Sequence, residues 1–599
     1  MCGIIGYAGK RDTAEVLLDG LQKLEYRGYD SAGIALMQEE GIRVYKNQGK
    51  VGALSALLAK ENTAGARLGL GHTRWATHGE PSHVNSHPHR YGKVTLVHNG
   101  IIENERKIRK KLKQSGIQPI SETDTELVAI LMDCHYTGDP VQAIRKTAAQ
   151  LEGSYALGIL FEDHPGKIYA IRKDSPLIIG RGDGENFLAS DIPAILRYTH
   201  DYWLLEEGEL AILTEERVEF LSPKDQPIQK ICRTADWDEQ SAQKGGFAHF
   251  MAKEIAEQPA AVKETIGRYF QNGTLLAELE ENFTIRGTLR IVACGSAYHA
   301  GLLGKYAIEK LARLPVTVEV ASEFRYGNPI LSADDLVLVI SQSGETADSL
   351  AALRLAKERG IPTMGIVNVW GSSLAREADT VLYTAAGPEI SVATTKAYTC
   401  QVTLLYLLAL RLAKPHLSPD AYHEYCTQIG KLPHWISQAL LQEEDCKRIA
   451  KHYHQAEHLF FIGRGQDYHL SMEASLKLKE ISYIHSEAYA AGELKHGTIS
   501  LIEKGTPVVA VITDRERFSK TAANIREVRA RGAAVLCITY EDADTANLAD
   551  HRLTLPSCPD FLAPIPGAVL TQLFAYHMAV ARGNDVDQPR NLAKSVTVE

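Results

Sequence analysis

A cysteine occupies the second position of the chain, in the run Cys2-Gly3-Ile4-Ile5-Gly6. If Met1 is removed, this residue carries its thiol and a free α-amine together. A thiol titrates near about 8.5 and an α-amine near about 7.7 to 8.0, so the amine can accept the thiol proton, directly or through one water molecule. The pair predicts nucleophilic attack by an N-terminal cysteine that supplies its own base. The alternative is that Cys2 is an ordinary small apolar residue.

Histidines and hydroxyl residues crowd a segment that begins Gly71-His72-Thr73-Arg74-Trp75-Ala76-Thr77-His78-Gly79-Glu80-Pro81. Five histidines lie between His72 and His89, which raises the question of a metal site. No acidic ligand lies at metal-site spacing, however, and neither an HExxH motif nor a paired-histidine helix pattern occurs. We therefore expect no metal here.

A strand is predicted from Val94 to His98, followed by Asn99-Gly100. If the strand ends there, the Asn99 amide and the Gly100 N–H can point at one position, as a tetrahedral oxyanion requires. On this stretch alone, a tight Asn-Gly hairpin turn is the stronger alternative. Downstream, Ser121-Glu122-Thr123-Asp124-Thr125-Glu126 follows the rules for a helix start, with Asp124 as a stabilising acid in the first turn.

A loop rich in hydroxyl groups, Ser341-Gln342-Ser343-Gly344-Glu345-Thr346, follows a predicted strand from Leu336 to Ile340 and precedes a predicted helix. Hydroxyls and backbone N–H groups at a helix N-terminus form a cradle for phosphate, where the helix dipole adds favourable potential. No P-loop lysine follows, which argues against a nucleotide. The alternative is simple helix capping by Ser343 and Thr346.

The elements that position these residues fall into more than one domain, because 599 residues are too many for a single core. Asp236 to Phe250 is polar and contains glycine, so a boundary is placed near 240. A helix is predicted from Met251 to Tyr269. Strands and helices then alternate as in a doubly wound parallel sheet. The first strand is Leu289 to Ala293, with a turn at Cys294-Gly295-Ser296 and a helix from Tyr298 to Leu311.

This alternation recurs at an offset of roughly 170 residues, which indicates two duplicated subdomains. Leu459 to Gly465 corresponds to the first strand and turn, and a helical stretch from about Ser418 to His452 joins the copies. The second copy has Thr513-Asp514-Arg515-Glu516 where the first has its hydroxyl loop. Because acids stand where hydroxyls stood, we expect one phosphate site and not two.

Composition excludes several classes of protein. The net charge of -9 leaves no basic surplus to neutralise nucleic-acid phosphates. The longest apolar stretch, around Val402 to Leu412, is too short to span a bilayer, and no signal peptide is visible. Nine cysteines are scattered without a CxxC pair, as in a protein with reduced thiols. We expect a cytoplasmic protein with no nucleic-acid or membrane partner.

The motifs of the first half, taken together, resemble the glutaminase domain of class II amidotransferases. That resemblance implies an α+β N-terminal-nucleophile fold with two stacked antiparallel sheets between helix layers (αββα). It implies Cys2 as the nucleophile and Asn99 with Gly100 as the oxyanion hole. The positions that match glutamine-binding residues are Arg74, Thr77, His78 and Asp124. An arginine suits the substrate α-carboxylate and an aspartate its α-ammonium. Arg27-Gly28 matches a loop beneath the site, and Trp75 a gate for ammonia.

The second half resembles tandem sugar isomerase domains, which are α/β doubly wound parallel-sheet folds. Across the chain the resemblance is to the glutamine:fructose-6-phosphate aminotransferases (isomerising), or glucosamine-6-phosphate synthases. It extends through Lys477 to Ser482, Glu487 to Gly497 and the tail Asp585 to Ser595. The implied sugar-phosphate ligands are Ser296, Ser341, Gln342, Ser343, Thr346, Val392, Thr394 and Lys477. The implied catalytic residues are Glu480 as the C1–C2 proton base, His496 for ring opening and Lys594 for a Schiff base.

A carboxylate, an imidazole and an amine are the groups that an aldose–ketose shift needs. Taken singly, Glu480 is a solvated helix acid, His496 a loop histidine and Lys594 a residue of a fraying tail. Glu473, Lys477 and Glu480 share a face if their segment is helical. The apolar residues from Leu470 to Leu478 alternate with a strand-like period of two, but composition and the resemblance favour a helix.

Two positions depart from the family pattern. Ala297 stands where relatives commonly have a hydroxyl, so the phosphate cradle is expected to lack one hydrogen bond, worth about 0.5 to 1.5 kcal/mol. Thr394 replaces a usual serine and keeps the hydroxyl.

The resemblance divides the chain into a glutamine amidotransferase domain and two sugar isomerase subdomains with connecting segments. The predicted ranges are 1–240 for the amidotransferase domain, 241–280 for a linker and helix, 281–425 and 450–585 for the subdomains, and 586–599 for a tail that closes the sugar site.

The implied reaction hydrolyses L-glutamine at Cys2 and passes ammonia within the protein to D-fructose 6-phosphate. The products are D-glucosamine 6-phosphate and L-glutamate. No metal, nucleotide or pyridoxal cofactor is implied, and a homodimer is expected, with His496 lent across its interface. A sugar-phosphate sensor, an uncoupled glutaminase and a sugar-amine deglycase are the alternatives. The presence of Cys2, Glu480, His496 and Lys594 argues against a sensor.

Overall fold

The computed structural model describes residues 2–234, 244–271, 274–276, 279, 283 and 285–597. They form two compact units, one of residues 2–234 with 593–597 and one of residues 244–592. The predicted boundary near 240 lies outside the described residues.

The N-terminal unit contains fifteen strands among its described residues. They are β1 (Gly3–Ala8), β2 (Ser31–Gln38), β3 (Gly41–Gln48), β4 (Leu68–Arg74), β5 (His89–Tyr91), β6 (Val94–Ile102), β7 (Gly153–Phe161), β8 (Ile168–Lys173), β9 (Ile178–Arg181), β10 (Asn186–Ala189), β11 (Asp201–Leu204), β12 (Leu210–Leu213), β13 (Val218–Leu221), β14 (Pro227–Ile228) and β15 (Arg233–Thr234). An eight-stranded sheet has the order β15-β11-β9-β10-β1-β4-β2-β3, and a seven-stranded sheet has the order β14-β13-β12-β8-β7-β6-β5. Every pairing recorded in the two sheets is antiparallel.

Five α-helices belong to this unit. They are α1 (Thr13–Leu24), α2 (Val51–Leu58), α3 (Glu105–Gln114), α4 (Asp124–His135) and α5 (Pro140–Ala148). Helix α4 begins as predicted, because the Thr123 side chain caps it by accepting the N–H of Glu126. The Glu126 carboxylate accepts the N–H groups of Ile120 and Ser121, which ties the preceding residues to the start of the helix.

Alternating side chains along the strands build separate cores on the two faces of each sheet. In β1, Ile4 packs in a cluster with Val97 and Leu160 of the second sheet, so this cluster lies between the sheets. Ile5 points to the opposite face and packs with Leu17 of α1. On the outer face of the second sheet, a further cluster includes α3, α4 and α5 residues. The unit is therefore layered helix, sheet, sheet, helix.

The C-terminal unit opens with α6 (Phe250–Ala256), α7 (Gln258–Tyr269) and the short pair β16 (Phe270–Gln271) and β17 (Thr274–Leu275). The helices confirm the helical prediction for Met251 to Tyr269. A first subdomain follows, built from β18 (Leu289–Ala293), α8 (Gly295–Ala312), β19 (Val316–Val320), α9 (Ala321–Tyr326), β20 (Leu336–Ser341), α10 (Ala347–Glu358), β21 (Thr363–Val367), α11 (Ser373–Glu377), β22 (Thr380–Tyr383) and α12 (Lys396–Ala413).

Three helices connect the copies, as the sequence predicts: α13 (Pro419–Ile429), α14 (Leu432–Leu440) and α15 (Glu443–Tyr453). The second subdomain consists of β23 (His458–Gly463), α16 (Gln466–Ser482), β24 (His485–Ala490), β25 (Pro507–Val511), α17 (Phe518–Arg529), β26 (Ala534–Tyr540), β27 (His551–Leu555) and α18 (Pro564–Ala581). The sheets are parallel, with orders β19-β18-β20-β21-β22 and β24-β23-β25-β26-β27. The two orders are identical, which confirms the predicted duplication.

Helices α8 and α16 show the duplication most closely. Each is preceded or opened by a glycine with positive φ, Gly295 (54°) and Gly465 (58°). Each ends at a residue in the left-handed conformation, Arg313 (56°) and Tyr483 (61°). Because α8 begins at Gly295, the predicted turn at Cys294-Gly295-Ser296 is wrong. Ser296 lies instead in the first turn of the helix, where backbone N–H groups have no acceptor within the helix.

No helix in the described part of the chain is both long and apolar enough to cross a membrane.

Candidate functional site

The Cys2 thiol lies at the end of a central strand, directly before β1. Its Sγ accepts the N–H of Trp75 at 3.3 Å and faces the Trp75 carbonyl oxygen at 3.6 Å. Pairing of Gly3 with Thr73 in β4 sets this register, because Trp75 directly follows the end of β4. Burial raises the pKa of the Cys2 thiol above its ordinary value, so the free thiol is mostly protonated at neutral pH.

Asn99 and Gly100 lie beside this cysteine. The Asn99 Nδ2 donates to the Cys2 carbonyl oxygen at 3.0 Å. The predicted strand end and the alternative hairpin turn are both wrong, because β6 continues through Gly100 to Ile102, paired with β7. Gly100 has φ +137°, and a Cβ there would lie 2.1 Å from the Ser154 carbonyl oxygen. Only glycine fits this irregular strand position.

The predicted glutamine-binding residues come from the two segments next to the thiol. Arg74 is buried, and its guanidinium donates to the backbone carbonyls of His78, of Gly79 at 3.0 Å and of Glu80 at 3.4 Å. Arg74 therefore folds the loop after β4 back on itself. In that loop Thr77 is exposed and His78 is half-buried.

Asp124 lies in the first turn of α4 and is 4% exposed. One carboxylate oxygen accepts the N–H of Ile102 at 2.9 Å, which ties the start of α4 to the end of β6. Arg27, which the resemblance assigns to a loop beneath the site, is buried and forms an ion pair with Asp191. The helix start thus places Asp124 next to the strand that carries Asn99 and Gly100.

Buried histidines lie around this strand, and no role for them is predicted from the sequence. His72 Nε2 lies 3.0 Å from the His98 carbonyl oxygen, and His72 stacks on His87 with ring centroids 4.0 Å apart. His98 Nδ1 lies 3.0 Å from the Thr125 hydroxyl. Burial lowers the pKa of His72 to about 3, and it lowers those of His87, His89 and His98 as well. Neutral imidazoles therefore pack here as structural groups, and no three potential ligands in the described residues form a metal site.

The hydroxyl loop of the first subdomain connects β20 to α10. Ser341 Oγ accepts the N–H of Gly344 at 3.0 Å and lies 3.2 Å from the Thr346 hydroxyl. Thr346 occupies the N-cap position of α10 but makes no side-chain cap bond, so that part of the capping alternative is wrong. Ser343 Oγ accepts the N–H of Glu345 at 3.2 Å. A Cβ at Gly344 would lie 2.1 Å from the Ser372 Oγ, which fixes the loop close to the next strand end.

Val392 and Thr394 lie in the segment between β22 and α12. The Val392 N–H donates to the Asp587 carbonyl oxygen at 3.0 Å, and the Thr394 hydroxyl donates to Glu389. Glu389 also accepts the N–H groups of Thr395 and Ala397. One buried carboxylate therefore folds this segment at the carboxyl edge of the sheet, the edge where α/β proteins bind ligands.

Helix α16 confirms the predicted helix and the predicted shared face. Lys477 Nζ lies 2.5 Å from Glu480 Oε2 and 3.5 Å from Glu473 Oε1. Glu473 and Lys477 are each 1% exposed. The period of two in the apolar residues reflects burial of α16 on several sides, since α8, α18, β23 and β24 all pack against it.

Ser296, a predicted sugar-phosphate ligand, donates its hydroxyl to Glu473 Oε1 at 2.8 Å. Gln342 lies half-buried in the hydroxyl loop. His496 is exposed, on a 3₁₀ turn at Glu493–His496, and joins none of these hydrogen bonds. Lys594 is half-buried and belongs to residues 593–597, which group with the N-terminal unit.

Two domain models that match the chain define the class of protein to which it belongs. A glutamine amidotransferase domain model matches residues 74–197, and a SIS domain model matches residues 284–411 and 452–582. The chain is thus an N-terminal glutamine amidotransferase domain followed by two SIS-type isomerase domains with parallel sheets.

Relatives cover the whole chain. It is 50% identical to the glutamine–fructose-6-phosphate aminotransferase (isomerizing) of Caldanaerobacter subterraneus subsp. tengcongensis and 46% identical to that of Thermus thermophilus, in each case over 100% of both chains. A solved C-terminal domain of glucosamine-fructose-6-phosphate aminotransferase from Francisella tularensis is 41% identical, with a TM-score of 0.56, over 58% of this chain and 100% of that one. The chain belongs to the glutamine–fructose-6-phosphate aminotransferase (isomerizing) family.

Proposed function

We propose that this chain transfers the amide nitrogen of L-glutamine to D-fructose 6-phosphate and isomerises the sugar, giving D-glucosamine 6-phosphate and L-glutamate. The observation that carries this proposal is full-length similarity to enzymes of that name, with a thiol site and a hydroxyl loop in one chain. The helix–sheet–sheet–helix layers of the N-terminal unit support our assignment of an N-terminal-nucleophile fold to it.

In the first half-reaction, Cys2 Sγ attacks the glutamine amide carbon. The raised pKa of the thiol means that a base must take its proton, and the α-amine of a mature Cys2 supplies that base. The Asn99 Nδ2 and the Gly100 N–H stabilise the oxyanion. Ammonia then leaves, and water hydrolyses the γ-glutamyl thioester to glutamate. Arg74, Thr77, His78 and Asp124 hold the amino-acid end of the substrate.

In the second half-reaction, the phosphate of the sugar lies in the Ser341–Thr346 loop at the N-terminus of α10. Ser296, Val392, Thr394 and Lys477 complete the predicted sugar-phosphate contacts. His496 opens the ring, Lys594 forms a Schiff base with the keto carbon, and Glu480 moves the proton between C1 and C2. These three roles rest on the family resemblance.

Ammonia must reach the sugar without taking up a proton, since ammonium has no free electron pair for attack. Trp75 is suited to control its release. Its backbone N–H and carbonyl both contact Cys2 Sγ, so the indole belongs to a residue whose backbone is held next to the thiol. A cytoplasmic location and a homodimer stay predictions.

The proposed function is tested by measuring glutamate and amino sugar together, using protein whose mass shows that Met1 has been removed. We expect a one-to-one yield that depends on fructose 6-phosphate. Cys2→Ala is expected to abolish glutamine hydrolysis and glutamine-dependent synthesis, whereas Cys134→Ala, at an exposed free cysteine, changes neither. Glutamate without amino sugar would refute the proposal and leave a glutaminase.

Replacement of Trp75 tests the gate. Trp75→Ala is expected to keep glutamine hydrolysis and to lower the ratio of amino sugar to glutamate, because ammonia then escapes to solvent. Trp203→Ala, away from the thiol in β11, serves as the control. An unchanged ratio of amino sugar to glutamate in Trp75→Ala would contradict a gating role for Trp75.

A further inference from the structure

A buried chain of charges runs along α16 and ends on a histidine of α8. His299 Nδ1 lies 2.8 Å from Glu473 Oε2, and Ser296 Oγ donates to the other oxygen, Glu473 Oε1, at 2.8 Å. Lys477 stands between Glu473 and Glu480. The four groups thus connect the first subdomain with the predicted proton base, Glu480.

The direction of the His299 hydrogen bond is fixed by the carboxylate. Burial opposes ionisation of Glu473, but Lys477, His299 and Ser296 together hold its pKa below the ordinary value. An ionised carboxylate only accepts, so His299 Nδ1 carries the hydrogen and donates it. His299 thereby satisfies one oxygen of a carboxylate that is 1% exposed.

The position of Lys477 indicates the effect of the hydrogen bond between His299 and Glu473. Its Nζ is 3.5 Å from Glu473 but 2.5 Å from Glu480, although both carboxylates are within reach. Glu473 already accepts from His299 and Ser296, so it competes less strongly for the ammonium. The ammonium is then left close to Glu480, where it fixes the carboxylate that would face the sugar.

We propose that His299 is a positioning residue for the amino-sugar reaction: by donating to Glu473, it leaves Lys477 with Glu480 and so sets the orientation and proton affinity of the base. This rests on the proposed function, which gives Glu480 its role. Other ionisable groups near this network include Glu389, which interacts with Lys477, and Tyr398, which interacts with Glu473. His469 interacts with His299 and also with Lys305.

The duplicated helix supplies an internal comparison. Counted from the positive-φ glycines, His469 in α16 corresponds to His299 in α8, and Leu303, Ala307 and Lys310 correspond to Glu473, Lys477 and Glu480. His469 Nδ1 is buried and has no hydrogen-bond partner in the described residues. The two histidines are therefore matched in type and helix position, but of the two it is His299 whose Nδ1 is hydrogen-bonded to Glu473.

The experiment compares kcat, the KM for fructose 6-phosphate and the pH profile of kcat in purified full-length variants. In His299→Ala, Lys477 is expected to move toward Glu473. Glu480 then loses its ammonium partner, so kcat at neutral pH falls about tenfold or more and the acid limb moves to higher pH by about one unit, with KM within about threefold. His299→Asn places an amide N–H near the Nδ1 position and is expected to restore the wild-type limb.

A second variant shifts the limb in the opposite direction. Glu473→Gln removes the competing negative charge, so Lys477 acts on Glu480 alone and the acid limb moves to lower pH. His469→Asn leaves both kcat and the limb unchanged. Opposite shifts in His299→Ala and Glu473→Gln are not expected from a general loss of packing.

The inference is overturned if the acid limb of the kcat profile in His299→Ala lies at the same pH as in the wild type. It is also overturned if the limb shifts in the same direction in His299→Ala and Glu473→Gln, or if His299→Asn does not restore the wild-type limb. If the wild-type protein forms no amino sugar at all, the proposed function fails, and this inference fails with it. An active wild type with unshifted variants overturns the inference alone.

Discussion

The two isomerase subdomains share one sheet order and differ at the ends of equivalent strands. After β20 the first copy has hydroxyls, with Ser341 and Thr346 3.2 Å apart, whose groups can turn toward a phosphate. After β25 the second copy has Asp514 paired with Arg517 at 3.1 Å. The second copy therefore has a carboxylate at the position where the first has hydroxyls. The two copies share the scaffold, and we predict from the loop chemistry that one copy binds the phosphate.

The helix N-termini show the same division. Asp467 is the second residue of α16 and is fully buried. Its carboxyl group accepts the N–H of Thr513 at 3.0 Å and also the Thr513 hydroxyl. Ala297 is the corresponding residue of α8. The Asp467 carboxyl group thus occupies the N-terminal end of α16, next to Thr513. Glu473, Lys477 and Glu480 lie further along the same helix, so we predict that the second copy provides acid–base groups and the first provides the phosphate loop.

The largest predicted effect is on the base. Glu480→Gln removes the group that moves the C1–C2 proton and is expected to lower amino-sugar formation by about 10²-fold to 10⁴-fold. Glutamine hydrolysis continues. Lys310→Gln, at the corresponding exposed position of α8, changes neither rate. If Glu480→Gln forms amino sugar at a rate near that of the wild type, the proposal that the second copy provides the acid–base groups is contradicted.

A smaller effect is predicted in the hydroxyl loop. Thr346→Val keeps the shape of the side chain but removes a hydroxyl near the phosphate, so the KM for fructose 6-phosphate rises by about tenfold, as for a lost hydrogen bond to a charged group. Asp514→Asn, in the corresponding loop, leaves the KM within about twofold. Steady-state kinetics with both variants decide this, and equal changes in KM would contradict a single phosphate site.

The smallest effect concerns stability. Burial raises the pKa of Asp467 from 3.8 to about 7. Between these values the folded state binds more protons than the unfolded state, so the contribution of Asp467 to stability falls as pH rises through this window. Asp467→Asn lacks this dependence. Relative to the wild type, its Tm is expected to rise by a few degrees from pH 5 to pH 8.

The matched control for this stability measurement is Asp542→Asn, whose carboxylate is exposed. It should show no such relative change in Tm between the two pH values. If Asp467→Asn behaves in the same way as the control, the claim that burial raises the pKa of Asp467 in the folded protein is refuted.

The sequence predicted those features that local rules govern. The start of α4 follows from the Thr123 cap, and the parallel subdomains follow from alternating strands and helices with a repeat. The loop Ser341–Thr346 was found because a hydroxyl-rich strand end is a local signal. Gly100 was placed in a turn because an Asn-Gly pair is a strong turn signal, whereas pairing with β7 determines the actual backbone.

The missed features depend on residues far apart in the chain. His299 and Glu473 are 174 positions apart, so no local pattern indicates their hydrogen bond. The start of α8 at Gly295 was also missed, because glycine is a common turn residue and the N-cap residue Cys294 makes no side-chain cap bond. The comparison of α8 with α16 was available in the sequence as Gly295, Tyr298 and His299 against Gly465, Tyr468 and His469.

The most direct test of the account follows the nitrogen atom. The mature enzyme is given amide-¹⁵N glutamine and fructose 6-phosphate in the presence of excess unlabelled ammonium, and the hexosamine phosphate is analysed by mass spectrometry. The account predicts that the product amine carries ¹⁵N, because ammonia released at Cys2 reaches the sugar without mixing with solvent. A product with unlabelled nitrogen, or glutamate with no hexosamine phosphate, would contradict it.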